Sequence, residues 1–287
     1  MTTDEKYDVL IGKLKETGSL AVAFSGGVDS SFLLYAAKEA LGNRVFAITA
    51  GSVFFPDHEY DEAASLCRSL GVRHMTLQED VLSVAGIKNN PANRCYLCKK
   101  ALFGRMLAMA REGGAAFLAE GSNMDDMEDY RPGMQAVAEL GVRSPLKEAG
   151  LGKAEIRSLS KRFSLPTWNR PSKACLASRF AYGETLTEEK LKMVESAENY
   201  LDSLGFSQLR VRVHGSLARI EVPAEEIPGA AAMSGMLSKK LKEAGFSYVS
   251  LDLTGFRSGS MNEVIDTGKA AAAHPDGLPE RRKNEQT

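Results

Sequence analysis

The sequence predicts a doubly wound α/β domain with a parallel sheet, followed by a second, smaller α+β domain. Two observations predict this fold class. In the first half of the chain, short apolar runs alternate with segments of helical spacing, and strands separated by helices pair in parallel. Beyond Arg179 the strands instead alternate apolar and polar residues. We therefore expect an α/β domain over residues 1–170, an α+β domain over 171–268 and a flexible tail over 269–287.

The first domain is predicted to alternate strands and helices after an entry helix over residues 4–17. The predicted strands are 19–24, 44–50, 72–77, 115–119 and a last one at 142–146. The predicted helices are 28–41, 57–70, one from the C-x-x-C to about Arg111, and 153–163. Ligands of open α/β sheets bind at the carboxyl ends of the strands, so the loops there are the expected site.

The second domain is predicted to begin with an amphipathic helix over residues 187–204. Residues 208–214 alternate apolar and polar side chains, as a half-buried strand does. Residues 217–222 and 248–253 show the same alternation, and a helix over 225–244 separates them. This order of elements predicts a small α+β domain with an antiparallel sheet.

The composition is that of an ordinary globular protein, with 287 residues, 44% apolar and 25% charged. The net charge is −1, from 36 basic and 37 acidic residues, so no overall positive charge indicates a nucleic-acid partner. No apolar run is long enough to cross a bilayer, and the first residues lack the pattern of a signal peptide. We therefore expect a cytoplasmic protein with neither a membrane nor a nucleic-acid partner.

The strongest motif lies between the first predicted strand and the helix after it, and reads Ser25-Gly26-Gly27-Val28-Asp29-Ser30-Ser31. The two glycines let backbone N–H groups approach phosphate oxygens, and the positive end of the helix attracts anions. The serines add hydroxyl donors, whereas Asp29 positions Mg²⁺ or braces the loop. A glycine turn with a helix cap is the plain alternative, but the full motif in this context predicts phosphate binding.

A second motif follows the predicted strand at 115–119 and reads Glu120-Gly121-Ser122-Asn123-Met124-Asp125-Asp126. It is expected at the carboxyl edge of the sheet. Paired acids there suit Mg²⁺, which prefers one or two carboxylates plus substrate phosphates. Alone, this motif would indicate a solvated acidic loop; beside a phosphate loop it predicts a metal–nucleotide site.

Three of the four cysteines, Cys95, Cys98 and Cys175, are candidates for chemistry, whereas Cys67 fits a buried helix face. Zinc would need a fourth ligand, and no histidine has ligand spacing. Three thiolates would hold a [4Fe–4S] cube by three corners and leave one iron free for sulfide, although clusters usually take four cysteines. The residues alone leave open a redox C-x-x-C with a separate nucleophilic cysteine, or chance cysteines.

The loop at residues 25–31 resembles the PP-loop of the ATP pyrophosphatases, the group that includes NAD synthetase, GMP synthetase and the tRNA thiolases. The resemblance implies that ATP is cleaved between its α and β phosphates, that an acceptor oxygen is adenylated and that pyrophosphate stays in the loop. In the family the stretch matching residues 49–52 lines the adenosine pocket. The expected contacts to ATP and Mg²⁺ are Ser25, Gly26, Gly27, Asp29, Ser30, Ala50, Gly121 and Asp125.

Further motifs resemble the LarE family, PP-loop sulfur transferases of nickel-pincer nucleotide synthesis. They are P-S-K-A-C-L-A-S-R at 171–179, E-G-S-N-x-D-D, R-P-G, and G-F-R-S-G-S-M-N at 255–262. The likeness covers nearly the whole chain. It implies that a carboxylate of pyridinium-3,5-biscarboxylic acid mononucleotide is adenylated and that sulfur replaces its oxygen, which gives a thiocarboxylate.

The resemblance also implies two branches that differ in their cysteines. In one branch only the cysteine matching Cys175 is present, and it gives up its own sulfur. In the other branch three cysteines carry a [4Fe–4S] cluster that delivers an extra sulfide. Cys95 and Cys98 place this chain in the second branch, with Cys175 and Asp29 as catalytic residues. LarE-like proteins also assemble into larger rings, so a homo-oligomer is expected.

Four residues of the second domain are expected to hold the small nucleotide substrate. Arg210 and Arg212 occupy alternate positions of one predicted strand and so share a face, which suits a phosphate or carboxylates. Glu198 and Arg257 resemble site residues of the family. For each of the four, an ordinary surface charge is the alternative.

Three other functions remain open at this level. A tRNA thiolase shares the loop, but it needs a basic RNA-binding face that the near-neutral charge does not indicate. A relative of NAD synthetase would transfer ammonia, and its cysteines would play no part. A zinc-stabilised nucleotide sensor would bind ATP without releasing pyrophosphate.

Overall fold

The structure is a computed structural model that describes residues 1–127, 132–171, 174–257 and 259–262. The tail expected at 269–287 lies outside the described residues. So do the R-P-G arginine and two residues of the run at 171–179.

A four-stranded parallel sheet forms the centre of the first domain, in the order β3-β2-β1-β4. Its strands are β1 (Leu20–Ala23), β2 (Val45–Gly51), β3 (Arg73–Gln78) and β4 (Phe117–Ala119). Its helices are α1 (Thr3–Glu16), α2 (Val28–Leu41), α3 (Asp57–Ser69), α4 (Arg94–Glu112), α5 (Pro132–Glu139), α6 (Pro145–Glu148) and α7 (Lys153–Arg162). The strand order reverses direction at β1, so a switch point lies between β1 and β4, where ligands of such sheets bind.

Helices cover both faces of this sheet because its strands are apolar on both sides. Leu20 and Val22 of β1 pack in one core with residues of α1, α2, α3 and α7. Ala21, between them, packs on the other face with Met106 of α4 and Val137 of α5. The doubly wound α/β class is therefore confirmed.

The strand predicted at 142–146 is wrong. Arg143 makes a single parallel bridge to Ala119, through Arg143 N–H to Leu118 O and Glu120 N–H to Arg143 O, each 2.9 Å. Pro145 then starts α6, because its fixed φ suits the first turn of a helix and its missing N–H cannot continue a ladder.

The second domain contains a three-stranded sheet in the order β5-β6-β7. Its strands are β5 (Arg210–His214), β6 (Leu217–Glu221) and β7 (Tyr248–Leu251), and its helices are α8 (Glu188–Ser203), α9 (Ile227–Ala232) and α10 (Ser234–Glu243). β5 and β6 are antiparallel, as expected for strands joined by a tight turn.

The prediction of an antiparallel sheet is wrong for β6 and β7, which pair in parallel. The helical connection between them returns the chain to the end of the sheet where β6 starts, as a crossover does. The helix predicted at 225–244 is divided at Met233 into α9 and α10. Pro228 lies in the first turn of α9, where proline is tolerated, so it does not explain the interruption.

A third core joins the two halves of the chain. Phe54, Ile87 and Leu102 pack in one cluster with residues such as Leu176 and Val211 from beyond the expected boundary. The boundary near residue 170 therefore stays a prediction. Within the described residues, no helix combines the length and apolar character that a membrane crossing requires.

Candidate functional site

The loop between β1 and α2 is braced from within. Gly26 has φ +72°, which favours glycine, and Gly27 caps α2 without a side-chain hydrogen bond from the described residues. Ser30 Oγ donates to Gly27 O (3.2 Å), and Ser25 N–H donates to Ser30 Oγ (3.4 Å). The amide end of α2 therefore faces a preformed loop, the geometry that binds anions. Ser31, whose hydroxyl the motif offers as a donor, is fully buried.

Gly121 packs directly against the first turn of α2. A Cβ atom at this position would lie 2.9 Å from Ser30 N and 3.2 Å from the carbonyl carbon of Asp29. The two sequence motifs therefore meet at the switch point, and the glycine is required by close contact between their backbones.

The carboxylates expected to serve ATP and Mg²⁺ lie next to each other. Asp29 accepts a hydrogen bond from Asn123 Nδ2 (3.2 Å) and pairs with the ammonium group of Lys153. The backbone N–H of Lys153 donates to Asp125 Oδ2 (2.9 Å). Lys153 was not predicted as a site residue. The one local feature that could have indicated it is its position at the start of α7, directly after a glycine.

Ala50 lies half-buried at the end of β2, one strand from the phosphate loop. The neighbouring Thr49 ties the strand ends together, because its hydroxyl donates to Phe24 O (2.9 Å) and also contacts His74 Nε2 (2.8 Å). Ala50 therefore lies at the edge of the sheet where a nucleotide is expected to bind. Its contact with adenosine stays a prediction.

Arg170 links the phosphate loop to the segment that carries Cys175. Its Nη1 donates to Gly26 O (3.1 Å) and pairs with Glu62 Oε2 (2.9 Å). Arg157 in turn donates to the carbonyl oxygen of Arg170 (2.6 Å). Neither arginine was expected at the site, since nothing in the local sequence distinguishes them from surface charges.

The three candidate cysteines gather around Arg94, the first residue of α4. Arg94 Nη2 lies 3.5 Å from Cys95 Sγ and 3.8 Å from Cys175 Sγ, so these two sulfurs share one neighbour. Cys98 packs beside Cys175 in the core that joins the two domains. Burial raises the pKa of the Cys98 thiol to about 12, and the nearby sulfurs of Cys175 and Cys95 add to this rise.

The three candidate cysteines offer only sulfur donors to a metal group. Within the described ranges, no three His, Cys, Asp or Glu side chains are grouped so as to hold a single metal ion. The three thiols nevertheless converge from distant parts of the chain, and thiols are the ligands of iron–sulfur clusters. The chemistry of the donors is that of iron–sulfur ligands, and a cluster at these cysteines stays a prediction. Cys67 lies apart, fully buried in the first core, as expected.

An ionic network links Cys175 to β5. Arg179 donates to Cys175 O (2.9 Å) and pairs with Glu198 (2.8 Å), and Glu198 accepts from Val211 N–H (2.9 Å). Burial and the like charge of Arg179 lower the pKa of Arg210 to about 10. Arginine side chains of this kind can bind a phosphate or a carboxylate, and such binding here stays a prediction.

The other two expected substrate residues are already paired. Arg212 is 5% exposed and pairs with the fully buried Glu221 (2.9 Å). Arg257 contacts Asp252 (3.5 Å). Glu198 and the three arginines therefore belong to connected networks around one sheet, and their contact with substrate stays a prediction.

Comparisons with known proteins show which families the chain resembles. The NAD synthase family matches residues 3–106, which include the phosphate loop and two of the three candidate cysteines, Cys95 and Cys98. The pyridinium-3,5-bisthiocarboxylic acid mononucleotide synthase of Lactiplantibacillus plantarum is 40% identical over 94% of this chain and 98% of its own length.

Two further relatives show how far each likeness extends. An uncharacterised protein of Synechocystis is 42% identical over 85% of this chain and 92% of its own. A tRNA-specific 2-thiouridylase of Desulforudis audaxviator is 32% identical, over only 45% of this chain and 39% of its own.

Proposed function

Since the chain belongs to the LarE family of pyridinium-3,5-bisthiocarboxylic acid mononucleotide synthases, we propose that it is an ATP-dependent sulfur insertase acting on pyridinium-3,5-biscarboxylic acid mononucleotide. The enzyme adenylates a substrate carboxylate and converts it to a thiocarboxylate in nickel-pincer cofactor synthesis. The observation that carries the proposal is the convergence of Cys95 and Cys175 on Arg94, in a segment that Arg170 ties to the phosphate loop.

The phosphate loop performs the first half of the reaction. A carboxylate oxygen of the substrate attacks the α-phosphorus of ATP, the bond to the β-phosphate breaks, and pyrophosphate leaves. Ser25, Ser30 and the open amide end of α2 hold the leaving pyrophosphate. Enzymes with this loop bind ATP with Mg²⁺, and Asp29 and Asp125 are proposed to bind that ion, which would compete with Lys153 for Asp29.

The arginine cluster of β5 holds the nucleotide substrate. Burial, and then the like charge of Arg179, lower the pKa of Arg210, and a bound phosphate or carboxylate would offset both effects. Arg212 and Glu198 fix the orientation of the cluster through their buried ion pairs. Arg257, which follows β7, is proposed to contribute to the same site.

Sulfur transfer takes place at Cys175. The carbonyl carbon of the acyl-adenylate is attacked by sulfur, and AMP leaves with the electron pair of the broken C–O bond. Cys95, Cys98 and Cys175 are proposed to hold a [4Fe–4S] cluster, which when bound supplies a renewable sulfide, so that no cysteine is consumed. The phosphate loop and the sulfurs thus supply the two halves of one reaction.

Replacement of Cys175 tests this assignment. Cys175→Ala should abolish formation of the thiocarboxylate, measured by mass spectrometry, and leave ATP affinity unchanged in calorimetric titration. Cys67→Ala is the matched control, because Cys67 is equally a free thiol but lies in the first core away from the site. Sulfur transfer at the wild-type rate by Cys175→Ala would contradict the proposal.

The alternative functions receive less support. The thiouridylase likeness covers less than half of either chain, and the NAD synthase match ends at residue 106, before Cys175 and the second domain. Both likenesses therefore reflect the ATP-cleaving half that these enzymes share. The homo-oligomer and the cytoplasmic location stay predictions.

A further inference from the structure

Asn90 and Arg94 form a buried polar pair at the start of α4. Asn90 is fully buried and has φ +46°, in the left-handed region that asparagine tolerates better than most residues. Arg94 is 4% exposed, and its Nη1 donates to Asn90 Oδ1 (2.6 Å). Both side chains belong to the loop and helix that present Cys95 and Cys98.

This pair forms hydrogen bonds with the segment that carries Cys175. Arg94 Nη1 also donates to Ala177 O (2.7 Å). Asn90 Nδ2 donates to Phe180 O (3.2 Å) and Ala181 O (2.7 Å), and Asn90 O accepts from Gly183 N–H (3.0 Å). The hydrogen bonds span more than 80 residues of sequence and hold residues 177–183 against the N-terminus of α4.

The positively charged guanidinium group of Arg94 lies next to two cysteine sulfurs. No carboxylate among the described residues forms an ion pair with Arg94, although arginine is seldom buried without an anionic partner. Its second nitrogen, Nη2, points instead at Cys95 Sγ (3.5 Å) and Cys175 Sγ (3.8 Å). The geometry thus offers anionic sulfur a buried positive charge.

We propose that Asn90 and Arg94 act as a positioning pair that assembles the sulfur site: they hold Cys175 beside Cys95 and place a fixed positive charge against the sulfurs. The assembly of the site is a property of the folded chain without nucleotide. The charge would stabilise the anionic sulfur used in transfer, and this part rests on the proposed function.

The test measures the proximity of the sulfurs directly. A short bifunctional alkylating reagent is added to the reduced, metal-free chain, and peptides that join Cys95 to Cys175 are quantified by mass spectrometry. Asn90→Ala and Arg94→Met should each lower the yield severalfold, because each variant loses buried hydrogen bonds that hold residues 177–183 against α4. Arg105→Met, on the exposed side of the same helix, is the matched control and should cross-link like wild type.

Anaerobic reconstitution with iron and sulfide gives the second readout. Wild type and Arg105→Met should bind roughly four irons per chain, the content of one cubane cluster. Arg94→Lys keeps the positive charge but loses the planar guanidinium group that donates to several partners. This variant should retain iron better than Arg94→Met. Arg94→Met should also shift the reduction potential of any cluster it holds to a more negative value, because a positive charge favours the reduced form.

Circular dichroism identifies variants that fail to fold, and Arg94→Lys or Asn90→Ala then replaces a failed Arg94→Met. Wild-type cross-linking and iron content in a folded Arg94→Met would overturn the proposal. Failure of the proposed function is a separate result, since it would appear as absent sulfur transfer in wild type with the cross-link intact.

Discussion

Glu221 shows how single buried charges order the second domain. It is fully buried and accepts from Arg212 (2.9 Å), Arg219 (2.9 Å) and Ser260 (2.8 Å). Removing one partner of such a network leaves the others charged and without water. The arginine expected to bind substrate, Arg212, is therefore held in place by a residue that the motifs did not indicate.

Glu221→Ala should lower the free energy of unfolding by about 3–5 kcal/mol, the cost of breaking a buried ion pair. Urea denaturation followed by circular dichroism measures this change. Glu188→Ala removes an exposed pair with Lys192 on α8 and should cost less than about 1 kcal/mol. Equal losses in the two variants would show that the buried network contributes no special stability.

At the scale of elements, the contact between the second motif and α2 governs the phosphate loop. Gly121→Ala would place a Cβ atom 2.9 Å from Ser30 N, so the first turn of α2 must shift. Such overpacking costs about 1–3 kcal/mol, and we expect ATP affinity to fall about tenfold in calorimetric titration.

Gly104→Ala is the control for this substitution. Gly104 lies inside α4 with no atom within 4 Å of an added Cβ. Alanine there should raise the stability of the protein by up to about 1 kcal/mol through helix propensity and leave ATP affinity unchanged. Unchanged ATP affinity in Gly121→Ala as well would contradict the role given to the close contact.

The elements with strong periodicity were predictable from the sequence, because apolar spacing records which face of a helix or strand is buried. The prediction of a strand at 142–146 was wrong because Pro145 starts a helix there. The predicted direction of β7 was wrong because the alternation of apolar and polar residues indicates which face of a strand is buried. It does not indicate whether the strand runs parallel or antiparallel to its neighbour. Local sequence patterns thus predicted the helices and strands better than they predicted how the strands pair.

At the scale of the whole molecule, the site was predictable only where its residues are contiguous. The phosphate loop and the acidic motif each form one run, and their meeting follows from parallel strands ending at one edge. Lys153, Arg170 and Arg94 act on residues more than 80 positions away. Their charges look like surface charges in sequence, so only the folded chain reveals them.

The shared core attaches the segment that carries Cys175 to the first sheet. Leu176 packs between Phe54, which follows β2, and the helices and strands of the second domain, and its N–H donates to Phe54 O (2.9 Å). Cys175 is therefore anchored to the edge of the first sheet, beside the loop where ATP is expected. We expect this attachment to let sulfur reach a bound acyl-adenylate before it is released to water.

The most direct measurement incubates the anaerobically reconstituted protein with pyridinium-3,5-biscarboxylic acid mononucleotide and Mg²⁺–ATP and identifies the nucleotide product by mass spectrometry. The account predicts replacement of a carboxylate oxygen by sulfur, with equal amounts of AMP and pyrophosphate formed for each sulfur inserted. An amide formed from added ammonium, or cleavage of ATP with no sulfur in the nucleotide, would contradict it.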